Sequence, residues 1–483
     1  MKIYPASIIL IFILLFTLLA DWKKGLQQYF KHVFFIYIAV VMFSNIGYFI
    51  QIGSFSLTHR AFLSVFTFFV SLAVIIFDQK FDRKILLAGG CLCVCVLLGY
   101  ISLSLFPYTY GIIHDISQWD NYVAGIQSMD YNPKFVFDFE TVFKIIHFPV
   151  VLSVAYKVFF DSLSKEKLLK SLLKISDYVL IYCVIELIAI KFFSFPISKY
   201  ICIPIFGESD ATFIYTDRLQ GLFKEASHYA GALFIWGILH IFQMRLIKRR
   251  GGKHQSSGWR GCLIRFILIC ILILGSTSFV GILYLFLLLI AFAIWGTPLK
   301  ASIVFTCAGC LVLIGVLVLS SSSIMSILGL EDLYNRVEKL CVSIALLIDG
   351  KVGLSSSEGA RFTSIFCMLK ILSKRPLLGV GAGITDAHST LFATLGNLGL
   401  FGTLVLGYIY IRFGRTKNNG IAFYLIILLY LSFAGSFGGI LDFQYPMLFF
   451  FAGYALRKEY AASKDTVPMN SSMAQLKKEK SFS

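Results

Sequence analysis

Charge is what this chain has least of. Only 14% of its 483 residues are Asp, Glu, Lys or Arg, against roughly a quarter in an ordinary soluble domain, and that scarcity excludes a water-soluble globular protein. Acidic side chains are rarer than basic ones, 26 against 43, for a net charge of +17. No small-x-small cleavage site follows the first apolar run, where Ala20-Asp21-Trp22 stands, so residues 5–20 read as a first membrane helix and a removed signal peptide is not expected. No internal repeat and no second domain is legible.

What is present is hydrophobic residue after hydrophobic residue: 58% of the chain, with 48 Phe and a mean hydropathy of +0.81. Apolar runs of about 17 to 25 residues, the length that crosses the hydrocarbon core as a helix, recur from end to end. Hydropathy places helices near 5–20, 31–50, 60–77, 84–106, 141–160, 172–193, 228–244, 262–275, 278–296, 301–320, 388–411, 420–437 and 441–456. The fold class expected is an all-α polytopic membrane protein of about 12–14 transmembrane helices. Residues 1–456 form its single domain, and the Lys-rich tail 457–483 is read as disordered.

The excess of positive charge does not point to nucleic acid. Arg245, Lys248, Arg249, Arg250, Lys253 and Arg260 crowd one short loop, Lys165, Lys167, Lys170 and Lys174 another, and Arg412, Arg415 and Lys417 a third. Short basic loops of this kind face the cytoplasm. Loops 107–140, 194–227 and 321–387, acidic or near neutral, then face outward. The last is long enough for structure of its own: a surface amphipathic helix around 330–344 and a second helix over 359–373, with Arg361 in its first turn and Pro376 beyond its end.

Most of the eleven cysteines lie in apolar helices and read as small buried hydrophobes. Cys307-Ala-Gly-Cys310 has a redox or metal spacing but no His or acidic partner, and reads as helix packing. Only Cys202, Cys341 and Cys367 fall in or near external loops, and their pairing stays open.

Two external segments carry the residues best suited to chemistry. In Arg218-Leu-Gln-Gly221-Leu-Phe-Lys224-Glu225-Ala-Ser-His228, an arginine, a lysine and a histidine precede an apolar helix. In the second, Arg361 is followed by Arg375-Pro376-Leu-Leu-Gly379-Val-Gly381-Ala-Gly383 and His388. A guanidinium stays charged at any physiological pH and offers a fixed fork of donors to an anionic head group. Glycines let backbone amides approach an anion, although the run also reads as a simple turn. His388 and His228 suit a general base or a phosphate donor, and Glu225 has the plainer explanation of favouring a helix start. Within the membrane, Glu186 and Lys191 read as a possible pair, with Asp442 near the interface. No metal or cofactor is expected.

Taken together, Arg218-x-x-Gly221-x-Phe-x-Glu225, the hairpin at Gly275-Ser-Thr-Ser278, Arg361, Pro376-Leu-Leu-Gly379-Val-Gly381-x-Gly383, His388 and Gly399-Leu-Phe-Gly402 resemble the O-antigen polymerase and O-antigen ligase superfamily. The resemblance spans roughly residues 170–455. It implies a metal-independent membrane glycosyltransferase whose donor is a glycan on undecaprenyl diphosphate, acting at the outer face of the bacterial cytoplasmic membrane. Arg218 and Arg361 would engage the diphosphate, and His388 would act as base or position the acceptor. Gly221, Lys224, Glu225, His228, Arg375, Gly379 and Gly381 would line the substrate site. Membrane lipids, a chain-length regulator and a flippase of the same pathway are the implied partners. The polymerase is favoured over the ligase because the motifs are loose; a non-enzymatic flippase or transporter is the reading from a different class.

Overall fold

The computed structural model describes residues 2–44, 47–53, 55–106, 139–159, 162–208, 218–250, 255–296, 357–384, 387–414, 421–435 and 440–456, with positions 335, 338, 342 and 345. The predicted helix 301–320, the surface helix around 330–344 apart from positions 335, 338 and 342, much of loops 107–140 and 321–387 and the tail 457–483 lie outside the described residues.

The chain is a helical bundle. Its helices are α1 (Pro5–Asp21), α2 (Leu26–Phe43), α3 (His59–Ala73), α4 (Arg83–Leu105), α5 (Phe139–Val158), α6 (Ser162–Phe193), α7 (Ile197–Phe206), α8 (Ala226–Arg250), α9 (Gln255–Gly275), α10 (Phe279–Ala291), α11 (Ser357–Lys374), α12 (Thr390–Gly414), α13 (Ile421–Phe433) and α14 (Gln444–Ala455). Among the described residues, 7 helices are long and apolar enough to cross a membrane, and shorter apolar helices accompany them. Large apolar side chains turned outward mark the lipid-facing surface: Phe16 is 74% exposed, Phe192 78% and Ile421 79%. Water would penalise such a surface; hydrocarbon does not, and helices satisfy their backbone groups internally. The buried side chains form one large cluster running from Leu10 to Leu456.

Three features depart from the hydropathy reading. Residues 48–50, expected to finish a helix, belong instead to a small antiparallel sheet of β1 (Lys2–Ile3), β2 (Tyr48–Ile52) and β3 (Phe55–Thr58), with β2 in the middle. Helix α2 stops at Phe43 with Ser44 extended, and Gly47 and Gly53, at φ +102° and +59°, stand before β2 and at the hairpin between β2 and β3. The expected loop 194–227 contains α7, closed by Gly207 at φ +71°. Helix α12 is interrupted at Gly399, whose φ of +62° is non-helical.

The break in α12 is filled by the segment before it. Leu400 and Phe401 donate their amides to the carbonyls of Pro376 and Leu377 at 2.8 and 3.1 Å, while Val380 and Gly381 donate to Gly396 and Asn397 at 3.1 and 2.9 Å. Four backbone groups orphaned by the kink are thus paired, as burial demands. Gly379 and Gly399 face each other here: a Cβ on Gly399 would lie 2.6 Å from the Gly379 nitrogen.

Helix α4 is tied to α12 directly at one end and, at the other, to the turn that fills the kink of α12. Arg412 Nη2 lies 2.9 Å from Asp82 Oδ2, and Asp82 also caps α4 by accepting from the Ile85 amide at 3.0 Å. At the far end Tyr100 donates to the Ala382 carbonyl, and Arg375 Nη1 donates to Ser102 Oγ at 2.9 Å. The predicted hairpin is present: α9 stops at Gly275, and Ser278 caps α10 by accepting from the Gly281 amide at 3.4 Å.

Candidate functional site

A polar cavity of about 240 Å³ opens among the first turns of α3, α5, α8 and α10 and the connection between α13 and α14. These are the helix ends opposite Lys157, Arg250 and Arg412. Its charged and polar lining comprises Arg60, Lys144, Ser227, His228, Asp442 and Gln444. Arg60 Nη2 and Asp442 Oδ2 are 2.9 Å apart across it, with side chains 27% and 21% exposed. Lys144 Nζ is held 2.6 Å from Glu140 Oε1 one turn away. Both fixed cations therefore have carboxylate partners already.

One wall of the cavity is aromatic. Tyr284, Tyr430 and Tyr445 form a contiguous series with ring centroids 4.9 and 5.9 Å apart. Phe234 stacks on Tyr430 at 4.4 Å and Tyr430 donates to the Gly231 carbonyl at 3.2 Å, so the wall is fixed by its backing. Asp442 is held just as firmly. The next residue, Phe443, is fully buried and packs edge-on against Phe34, Tyr37 and His147.

The segment 218–228 reaches this cavity directly, through Phe223, Ser227 and His228. Glu186, buried in α6, organises it by accepting the Gly221 amide at 3.1 Å, and Gly221 has the φ of +55° that this turn requires. The expected Glu186–Lys191 pair does not form: Lys191 is exposed, and Glu186 is occupied with the loop. Lys224 turns away from the cavity, with its Nζ 3.7 Å from Glu208 and 5.6 Å from the Tyr48 ring centre. Glu225 is exposed and accepts from Ser227 Oγ at 3.0 Å. Arg218 is half-buried at the start of the same segment.

The second predicted segment meets the same end of the bundle. The His388 amide donates to Ser364 Oγ at 3.2 Å, which joins it to α11 one turn after Arg361, whose side chain lies outside the described residues. Two residues on, Thr390 Oγ1 donates to the Ala434 carbonyl at 2.7 Å, and Ala434 and Gly435 are cavity wall. Arg375, Gly379 and Gly381 are placed differently. Arg375 is buried and donates to Ser102 and to the Phe106 carbonyl. The amides of Gly379 and Gly381 are donated to the carbonyls of Arg375 and Asn397 at 3.2 and 2.9 Å. An anion cradle built from these two amides is not what the turn provides; it braces α4 and the kink of α12. Cys202 is buried and free.

Several residues of the site carried little or no signal in the sequence. Arg60 and Lys144 look like ordinary charges near the heads of apolar helices, and the tyrosines look like packing. Mid-helix, Arg265 Nη2 donates to Asp177 Oδ2 at 2.9 Å and ties α9 to α6, a pair equally invisible in sequence. No protein-family model matches the chain and no curated protein matches it.

Proposed function

We propose that this chain is a metal-independent membrane glycosyltransferase that joins glycan repeat units carried on undecaprenyl diphosphate, as an O-antigen polymerase does, at the outer face of the bacterial cytoplasmic membrane. The observation that supports it is a convergence. Segments 218–228 and 388–390, far apart in sequence, meet at one end of the bundle around one polar cavity. That end is opposite the basic 245–260 loop, and the positive-inside rule makes it the external one.

The chemistry follows from charge. Cleaving a sugar–diphosphate bond leaves negative charge on the departing phosphate, and the guanidinium groups of Arg218 and Arg361 would stabilise it where water is partly excluded. His388 would serve as proton carrier or acceptor-positioning group. Membrane lipid, a flippase delivering the donor and a chain-length regulator are the partners this reaction needs.

The test is Arg361→Ala in the native host, with surface polysaccharide run on a gel and membrane delivery of the protein checked. A ladder collapsing to a single repeat unit on the lipid core is the expected result, with loss of about two to three orders of magnitude in rate. Bare core with polymer accumulating on the carrier assigns the ligase activity instead. An unchanged ladder overturns the diphosphate site.

A further inference from the structure

The geometry points to the cavity as the subsite for the acceptor sugar, with Asp442 as the residue that takes the proton from the attacking hydroxyl. This rests on the glycosyl-transfer reading above and adds to it a binding site and a catalytic residue.

The cavity's own chemistry distinguishes it from a diphosphate site. A diphosphate brings two or more negative charges and needs cations free to meet them. Here Arg60 is already neutralised by Asp442 and Lys144 by Glu140, at 2.9 and 2.6 Å. What remains is an aromatic wall facing hydrogen-bonding groups, the pattern of a site for a neutral ligand whose orientation is fixed by a few polar contacts. A polyhydroxyl ring has that character: hydroxyls around its edge for Asp442, Gln444 and Ser227, against a firm wall backed by the buried Tyr284, Tyr430 and Tyr445. At about 240 Å³ the cavity is below the roughly 300 Å³ at which pockets begin to hold drug-sized ligands. It suits one sugar unit, with the rest of the glycan outside.

Among the described residues lining this cavity, Asp442 is the one carboxylate. Its Oδ2 accepts from Arg60, and the partial exposure of the side chain, 21%, leaves the group accessible from the cavity. The buried Phe443 beside it fixes the backbone, so the carboxylate is presented rather than free to swing. In the step proposed, an acceptor hydroxyl oxygen bonds to the anomeric carbon of the donor as its proton passes to the Asp442 carboxylate. The anomeric C–O bond breaks, and undecaprenyl diphosphate leaves with the electron pair. Arg60 orients the carboxylate and remains charged throughout.

The experiment compares wild type, Asp442→Asn, Asp442→Glu and the double variant Arg60→Gln/Asp442→Asn. Each is purified in detergent and assayed for extension of lipid-linked repeat units extracted from the native host, and for binding of undecaprenyl diphosphate alone. Asp442→Asn is expected to lose at least about 100-fold in transfer, the scale of general-base catalysis, while binding undecaprenyl diphosphate within a factor of two of wild type. Asp442→Glu should retain measurable transfer, and the double variant should stay as inactive as Asp442→Asn. Recovery of transfer in the double variant would show that Asp442 only neutralises Arg60, and would overturn the assignment. So would parallel loss of undecaprenyl diphosphate binding in Asp442→Asn, or an unimpaired Asp442→Asn beside an active wild type. A wild type that neither extends repeat units nor binds the carrier overturns the transfer reading itself, and the acceptor subsite falls with it.

Discussion

Replacing Gly379 by Ala should destabilise this protein strongly. Gly379 has φ +64°, where an L-residue with a Cβ is disfavoured by about 1–2 kcal/mol. The new carbon would stand 2.5 Å from the carbonyl oxygens of both Gly396 and Asn397. Neither oxygen can retreat freely, because each accepts an amide from the turn, Val380 at 3.1 Å and Gly381 at 2.9 Å. Relieving the overlap costs about 1–3 kcal/mol by the usual scale of overpacking. Loosening the two hydrogen bonds adds about 1 kcal/mol each at most. The sum is about 2–7 kcal/mol, a large share of an ordinary folding free energy of about 5–15 kcal/mol. Gly407→Ala is the matched control: it lies beyond the kink in the same helix, and its added Cβ would meet nothing within 4 Å. In detergent, thermal unfolding followed by Trp fluorescence should show Gly379→Ala melting well below wild type, with Gly407→Ala unchanged or slightly raised. Equal melting temperatures for the two variants would refute the account of the turn.

Further outcomes follow from the same geometry. Asp82→Asn keeps the helix cap but removes the ion pair to Arg412, and should cost about 1–3 kcal/mol, between an exposed and a buried pair; Asp82→Ala loses the cap as well and should cost more, by denaturant titration. Burial raises the Asp82 carboxyl pKa, but the hydrogen bonds from Arg412 and the Ile85 amide outweigh it and hold the group below its ordinary value. Its stabilising contribution is therefore complete above the ordinary carboxylate range and lost as pH falls through and below it, a loss that Asp82→Asn should abolish in melts at graded pH. Arg375→Ala removes charge-assisted bonds worth about 1.5–3 kcal/mol each, so melting temperature should fall, with transfer per folded molecule retained. Glu186→Gln keeps an acceptor for the Gly221 amide and should stay close to wild type in transfer, whereas Glu186→Ala should lower it by loosening segment 218–228.

The helices were readable because a bilayer imposes a length and a polarity on each one, and that signature survives in a single sequence. The hairpin of β2 and β3 was not, since Tyr48, Phe49 and Ile50 continue the apolar run of α2 and only Gly47 and Gly53 mark the change. Helix α7 was missed because Ile197–Phe206 is too short to span and carries Pro204. At the site, the sequence directed attention to His228, which lines the cavity, and to the segment of His388, whose Thr390 bonds to the cavity wall at Ala434. It could not reveal Arg60 with Asp442, whose partners are 382 residues apart. The glycine run was conspicuous for the right physical reason, close backbone approach, but what approaches is the broken helix α12.

The fastening of α4 beside α12 has a bearing on which parts of the bundle can move against each other. One end is pinned by Arg412 and Asp82 and the other through the turn 375–383 that fills the α12 kink, so the two helices and the turn behave as one unit. The same unit also holds the described wall of the cavity, where Thr390 at the start of α12 donates to the Ala434 carbonyl, so a disturbance of the kink reaches that wall through the first turns of α12.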